Sequence, residues 1–398
     1  MTRSHLARVK EVDEHYHLNC YGPRFFPDIL IQKARGVYLT DTSGKRYIDC
    51  VAGISAVSVG HNNPEIRRRV AEYEKSNGVD HVSNFFYTKA QADYLEALVG
   101  VVPIDDARIF LGNSGAEVTN GAIKLAAKNK GHWLGYMSST FHGRYGAALA
   151  ATGQRKYLKG FEKTLPMNTV MMKFNDVAGL EAITDDMYAV ILEVIEAEGG
   201  VVPATKEFID ALRQKCRNTG TLLIVDEVQS GFGRTGKMFA CQHYDLFPDA
   251  VCMAKGIANG YPFGAIAFDP HFAGMVKPGE HASTYGGNPG GCIRAKAVLD
   301  IIEEKGLVQN AADMEELFYS MKFKRLRHVK DARGKGLLLG VEIDNPDNRK
   351  KVIEGCKNDG VLLCGCGDSV VRIVPPLTIT EEQFWKAMEV LRNNIKRL

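Results

Sequence analysis

The sequence predicts an α/β protein, with a large domain built on a mostly parallel sheet and a smaller C-terminal α/β domain. Three observations predict it. The chain has 398 residues, more than one ordinary core accommodates. From about 65 to 270, helical patterns alternate with short β-branched runs. Those runs are almost wholly apolar, as strands covered by helices on both faces must be.

Residues 1 to about 50 read as a short helix followed by strands. Strands at 36–40 and 46–49 flank a turn at Asp41-Thr42-Ser43-Gly44. Apolar strands are then expected at 108–111, 189–192, 222–225 and 250–253, with helices between them. After about 290 comes a long helix, then strands at 337–343 and 370–374 of the smaller domain. No internal repeat or low-complexity linker interrupts the chain. The expected division is an N-terminal segment at 1–50 that belongs with the small domain, a large domain at 51–290 and a C-terminal small domain at 291–398.

A net charge of +3 gives no reason to expect nucleic acid or an anionic membrane as a partner. Arg67-Arg68-Arg69 and Lys322-Phe323-Lys324-Arg325 lie in helical-looking segments with few aromatics nearby, so they read as solvated helix faces. The nine cysteines are scattered, and Cys364-Gly365-Cys366 is the only close pair. Nothing completes a zinc site, so no metal is expected, and the thiols suggest a reducing compartment. The polar N-terminus lacks an apolar core of signal-peptide length, and no run approaches the ~20 apolar residues that span a bilayer. The expected location is the cytoplasm.

Asn113-Ser114-Gly115-Ala116-Glu117 follows a strand and opens a helix, with Ser114 and Glu117 at capping-box spacing. Free amides at a helix start can face a phosphate, and Gly115 and Ala116 are small enough to let one approach. An ordinary capped helix has the same signature. Gly231-Phe232-Gly233-Arg234-Thr235-Gly236-Lys237 fits a dinucleotide pattern and nearly fits a P-loop. Met238 stands where a P-loop needs Ser or Thr, and no long helix follows, so the segment reads as a glycine-rich loop beside the active site.

Asp226 ends one apolar run and Lys255 follows another. A lysine amine can condense with an aldehyde cofactor, and a carboxylate can keep a pyridine nitrogen protonated. Such groups collect at strand ends, although each residue taken singly also fits a turn, a cap or a solvated end. Phe141-His142-Gly143-Arg144 offers a flat ring and an arginine, and Arg372 offers a second arginine before Pro375-Pro376. A guanidinium fork binds both oxygens of a carboxylate. Taken singly, each arginine reads as a member of a surface ion pair.

Together these motifs resemble those of the class III aminotransferases, a pyridoxal-phosphate family of fold type I. The likeness runs from about Gly22 to Thr380. It includes Asp226-Glu227-Val228-Gln229, Ala254-Lys255-Gly256 and Ser283-Thr284-Tyr285-Gly286-Gly287-Asn288-Pro289. Within the class, the length and three further motifs are most similar to the acetylornithine group. Those motifs are Ser83-Asn84-Phe85-Phe86-Tyr87, Ala151-Thr152-Gly153-Gln154 and Arg333-Gly334-Lys335-Gly336-Leu337.

The resemblance implies a seven-stranded sheet and pyridoxal 5'-phosphate as cofactor. It implies that Lys255 holds the cofactor aldehyde and later transfers the proton, and that Asp226 faces the ring nitrogen. Gln229 would meet the ring hydroxyl and Phe141 would stack on the ring. Gly115 and Ala116 would bind the phosphate, helped by Thr284 of a second copy, which implies a homodimer with shared active sites. Arg144 would hold the α-carboxylate of the donor. Arg372 would engage a carboxylate of glutamate, and Glu198 would pair with Arg372 in its absence.

The expected reaction moves the terminal amine of N2-acetyl-L-ornithine to 2-oxoglutarate, giving N-acetylglutamate 5-semialdehyde and L-glutamate, a step of arginine biosynthesis. Ornithine, succinylornithine and 4-aminobutyrate are alternative donors. An aminomutase, a racemase or a non-catalytic binding protein on the same fold are alternatives of another class. The chain departs from the family at Val194, Glu196 and Ala197, within a loop that usually reads E-P-I-Q-G-E, and at Asn120 and Tyr145. Ile54 stands where ornithine aminotransferases carry a tyrosine. Tyr21 lies near the family's N-terminal substrate tyrosine.

Overall fold

The computed structural model describes residues 2–18, 20, 24–165 and 168–398; Tyr21 lies outside them. A first helix, Thr2–Tyr16, precedes strands β1 (Ile31–Arg35), β2 (Tyr38–Asp41) and β3 (Arg46–Asp49). The turn between β2 and β3 is held by Asp41. Its Oδ1 accepts from the amides of Ser43 at 2.9 Å and Lys45 at 3.0 Å, and its Oδ2 accepts from the Tyr47 hydroxyl at 2.9 Å. The sequence pattern misses β1, because this strand is largely polar and exposed.

Among the described residues, the middle of the chain supplies nine strands. They are β4 (Arg108–Gly112), β5 (Trp133–Met137), β6 (Thr169–Met172), β7 (Met187–Leu192), β8 (Ile195–Glu196), β9 (Val202–Pro203), β10 (Leu222–Asp226), β11 (Ala250–Met253) and β12 (Gly264–Phe268). Seven form the central sheet in the order β4-β12-β11-β10-β7-β5-β6, while β8 and β9 pair separately. The sheet is parallel except at β12, which runs antiparallel to both β11 and β4. Two reversals cancel, so β4 runs in the same direction as β11.

Alternate strand residues bury against opposite layers. Ile191, Ile224, Cys252 and Ile266 pack with Val118, Ala122 and Ile123 of the helix Gly115–Ala126. Val190, Leu223, Val225 and Val251 belong to the other core, with Phe208, Ile209 and Leu212 of the helix Lys206–Thr219. This two-sided burial explains the near-continuous apolar runs.

The long helix expected after 290 is two helices, Pro289–Glu304 and Leu307–Ser320, separated at Gly306 with φ 57°. Strands β13 (Val329–Lys335), β14 (Leu338–Ile343), β15 (Val361–Leu362), β16 (Cys364–Cys366) and β17 (Val370–Ile373) follow. An antiparallel sheet has the order β13-β14-β17-β16. Strand β15 pairs in parallel with β3, so the N-terminal strands are hydrogen-bonded into the C-terminal part of the chain.

The glycine-rich loop fastens the middle of the chain to this C-terminal part. Arg234 is buried, and its Nη1 donates to Leu337 O at 3.2 Å and Pro375 O at 2.5 Å. Leu337 N donates in return to Arg234 O at 2.8 Å. Burial pulls the Arg234 pKa down to about 9. The two basic clusters also differ in structure. Arg68 pairs with Glu65 and Glu72, and Arg69 with Glu65 and Asp300, on the helix Pro64–Lys75. The other cluster is a single 3₁₀ turn, Phe323–Arg325, with Phe323 buried. All nine cysteines are free thiols, eight of them buried. Among the described residues, no helix is long and apolar enough to cross a membrane.

Candidate active site

The carboxyl ends of the parallel strands bring the polar groups together. Asp226 ends β10 in register with Cys252 of the neighbouring β11. Lys255, just beyond β11, therefore emerges on the same edge. Asp226 is buried, at 4% exposure. Its Oδ2 lies 2.7 Å from His142 Nδ1, and its Oδ1 accepts from Val228 N at 2.9 Å. The carboxylate is thus held on both oxygens. His142 was not singled out from the sequence, although it lies within the motif that supplied Phe141 and Arg144.

The Lys255 amine lies deep, although the residue as a whole is half-buried. Burial pulls its pKa below the usual lysine range. Glu198, Glu193 and Asp226 oppose this, and Arg372 adds to the lowering. Lys255 has φ 45°, a left-handed conformation that is costly for a residue with a Cβ.

A second left-handed stretch packs against this turn. Ala52, Gly53, Ile54 and Ser55 all have positive φ, and Ile54 stands at 58°. A β-branched residue there is an outlier that its surroundings must enforce. Asp49 Oδ1 accepts from Val51 N and Ala52 N, each at 2.9 Å. Ser58 Oγ donates to Gly256 O at 2.7 Å, and Val59 N donates to Asn259 Oδ1 at 2.9 Å. The loop carrying the exposed Ile54 is thereby fixed to the lysine turn.

At the start of the helix Gly115–Ala126, Ser114 Oγ accepts from Glu117 N at 3.2 Å. The other half of the capping box does not form. Glu117 instead accepts from Asn113 N at 2.7 Å and from the Ser283 hydroxyl at 2.6 Å, which draw its carboxylate away from Ser114. The first amides, Gly115 and Ala116, have no partner within the helix by its geometry. A Cβ on Gly115 would stand 2.8 Å from Val228 Cγ1, so this approach requires glycine. Thr284, beside Ser283, is exposed.

Arg372 lies buried on β17. Its Nη1 donates to Glu198 Oε1 at 2.5 Å and to Gln229 Oε1 at 3.1 Å, and its Nε lies 3.5 Å from Cys364 Sγ. Burial pushes the Glu198 carboxyl up, but Arg372 more than reverses this, and Lys255 and Lys156 add to the lowering. Glu198 sits between β8 and β9. Its carbonyl accepts from Gly367 N at 2.9 Å, and Gly200 O accepts from Arg333 Nε at 3.0 Å. Val194, Glu196 and Ala197 are buried, and Glu198 still reaches Arg372.

Two further carboxyls are buried, Glu193 and the family departure Glu196. Glu193 Oε2 accepts from Phe141 N at 2.9 Å, and burial, with Asp226, pushes its pKa up to about 7. Burial and then Glu193 push Glu196 up to about 9, and Glu196 Oε1 is buried without a partner among the described residues. Asn120 Oδ1 accepts from Ala147 N at 2.8 Å, at the start of the short helix Gly146–Ala150. Tyr145 is exposed and hydrogen-bonds with the Ser114 side chain.

Arg144 is exposed, with no ion pair among the described residues. Its guanidinium lies 4.4 Å from the Tyr157 ring centroid and 5.8 Å from that of Phe141. The site therefore combines a desolvated amine, a fully held carboxylate, a helix start with small residues and a buried arginine paired with a partly exposed carboxylate.

The family described as aminotransferase class-III matches residues 22–395. Acetylornithine aminotransferase of Archaeoglobus fulgidus is 39% identical over 369 residues, covering 92% of this chain and 95% of that protein. The acetylornithine aminotransferase of Bacillus subtilis is 37% identical over 374 residues, covering 92% and 95%. Among solved structures, the ornithine aminotransferase from Toxoplasma gondii superposes with a TM-score of 0.90 at 26% identity, covering 98% of this chain and 94% of that one. The acetylornithine aminotransferase from Elizabethkingia anophelis does so with a TM-score of 0.85 at 29% identity, covering 99% of each chain.

Proposed function

This chain belongs to the class III aminotransferases, and from that premise we propose that its amine donor is N2-acetyl-L-ornithine and its acceptor 2-oxoglutarate. The products are N-acetylglutamate 5-semialdehyde and L-glutamate. The observation that carries the reading is the Glu198–Arg372 pair beside Lys255. 2-Oxoglutarate brings a carboxylate that can replace Glu198 on Arg372, whereas the terminal-amine donor leaves the pair closed. Breaking a buried pair costs ~3–5 kcal/mol, so Glu198 leaves only when a substrate carboxylate takes its place. Its side chain is 22% exposed against 2% for Arg372, which supports Glu198 as the moving partner. The acetylornithine names of the curated relatives support the donor.

Pyridoxal 5'-phosphate is the cofactor in this reading, and the residues present fit it. The glycine approach at Gly115 suits a phosphate on the Gly115 and Ala116 amides, with Thr284 of a second copy completing it in a homodimer. Asp226, oriented by His142, suits the ring nitrogen; Gln229 suits the ring hydroxyl, Phe141 a ring face and Lys255 the aldehyde. When bound, the cofactor supplies the aldehyde that takes up an amine and a ring that draws electrons from the substrate carbon. Lys255 Nζ accepts the proton leaving that carbon, and burial favours the charged amine less, which lowers its pKa in the direction this role needs. Arg144 and Ile54 line the approach of the donor. Residues 51–290 form the cofactor-binding domain in this assignment, with 1–50 and 291–398 forming the small domain. The free thiols support a cytoplasmic location.

The test is a panel of donors assayed for L-glutamate formed from 2-oxoglutarate. N2-acetylornithine should show the highest kcat/KM. A higher value for ornithine, succinylornithine or 4-aminobutyrate overturns the donor assignment.

A further inference from the structure

Arg144 and Arg372 are held in different ways. Arg372 rests on a carboxylate, whereas Arg144 has none. Instead its guanidinium lies 4.4 Å from the Tyr157 centroid. Tyr157 in turn meets Phe141 edge-on, at 5.5 Å and 78°. Lys156 Nζ lies 5.0 Å from the same Tyr157 centroid. An aromatic face attracts a cation through its quadrupole, and an edge-to-face contact sets the tilt of the ring. A carboxylate in this place would fix Arg144 and also occupy its donors. A ring restrains the side chain and leaves all five N–H donors available.

We infer that Tyr157 is a positioning residue for substrate binding: its ring holds the Arg144 guanidinium, with its donors free, for the carboxylate of the amine substrate. The inference rests on the transaminase reading but not on the identity of the donor. The contact from Tyr157 to Phe141 ties this arginine to the residue whose amide is held by Glu193. Arg144 is thereby referenced to the wall of the site, although it stands at the exposed rim.

The experiment compares Tyr157→Phe, Tyr157→Leu, Arg144→Ala and the double variant Arg144→Ala/Tyr157→Leu as holoenzymes. KM and kcat are measured separately for L-glutamate and for the best donor of the panel, with cofactor content followed by absorbance. Tyr157→Phe should stay within about twofold of the unsubstituted enzyme. Tyr157→Leu should raise KM about fivefold, with kcat and cofactor content held. The double variant should be no worse than Arg144→Ala, because the ring acts only through that arginine. An unchanged KM in Tyr157→Leu overturns the inference. So do equal losses in the Phe and Leu variants, a parallel fall in kcat and cofactor content, or additive losses in the double variant. An unsubstituted enzyme that forms no glutamate with any donor overturns the transaminase reading, and this inference with it.

Discussion

At Glu196 a carboxyl occupies a position where the family usually carries a glutamine. Burial and Glu193 raise its pKa to about 9, against an ordinary ~4.3 for glutamate. The folded protein therefore binds this proton more tightly than the unfolded chain does. Its contribution is fully present below ~4.3 and is lost as pH rises through about 9. Glutamine cannot ionise, so Glu196→Gln should be more stable than the unsubstituted protein at pH 8, by on the order of a few kcal/mol. The difference should shrink towards pH 4.5. Thermal melts across that range check this, and a difference independent of pH would refute the raised carboxyl. Glu198→Ala tests the neighbouring switch. It leaves Arg372 with Gln229 and Cys364 alone. The donor half-reaction should slow at least tenfold, since a buried guanidinium without its partner is costly. The glutamate half-reaction should change little, because the substrate carboxylate replaces the missing one. Single-turnover rates that fall equally in both would overturn the switch. Lys255 and Asp226 were legible because each sits at a recognisable strand end, whereas Arg372, which taken singly reads as a surface ion-pair member, is buried. The burial of Glu193 and Glu196 was not legible, because nothing local distinguishes a buried acid from a solvated one.

Among the elements, the helix Gly115–Ala126 shows how much a local pattern carries. Its start was legible from Ser114 and the small residues after it. The destination of Glu117 was not, because Ser283 arrives from a distant loop. Gly115→Ala should overpack against Val228, at a cost of ~1–3 kcal/mol that shifts either the helix start or the segment after Asp226. Affinity for pyridoxal 5'-phosphate should fall roughly tenfold. Titration followed by absorbance measures it, and unchanged affinity would remove the phosphate role from this helix start. The wholly buried β7, β11 and β12 differ in legibility for a related reason. β7 and β11 are continuous apolar runs, while β12 opens with Gly264-Ala265 and carries little β-branched signal. The hairpin of β8 and β9 is two residues per strand and has no periodicity to detect.

Over the whole molecule, the pairing of β3 with β15 joins the N-terminal strands to the C-terminal part, and buried Arg234 on Leu337 and Pro375 joins that part to the middle of the chain. The glycine-rich loop that mimics a nucleotide motif is accounted for by the second. If Thr284 completes a neighbouring site, the protein is an obligate dimer. Light scattering should then give twice the 43.9 kDa of one chain, and Thr284→Ala should weaken cofactor binding without dissociating it. A monomer with full activity would refute the shared site. By itself the sequence determined the layered α/β architecture, the amine and carboxylate at two strand ends and the start of the helix Gly115–Ala126. Each follows from residue types a few positions apart. Only the tertiary structure decided that His142 holds Asp226, that Glu193 holds Phe141, that Tyr157 carries Arg144, and that a strained Ile54 loop is fastened to the lysine turn. Apart from the Tyr157–Arg144 contact, those pairings join segments remote in the chain. Even there, the contact joins the loop before the helix Gly146–Ala150 to the 3₁₀ turn Arg155–Tyr157, and neither segment's local pattern announces the other.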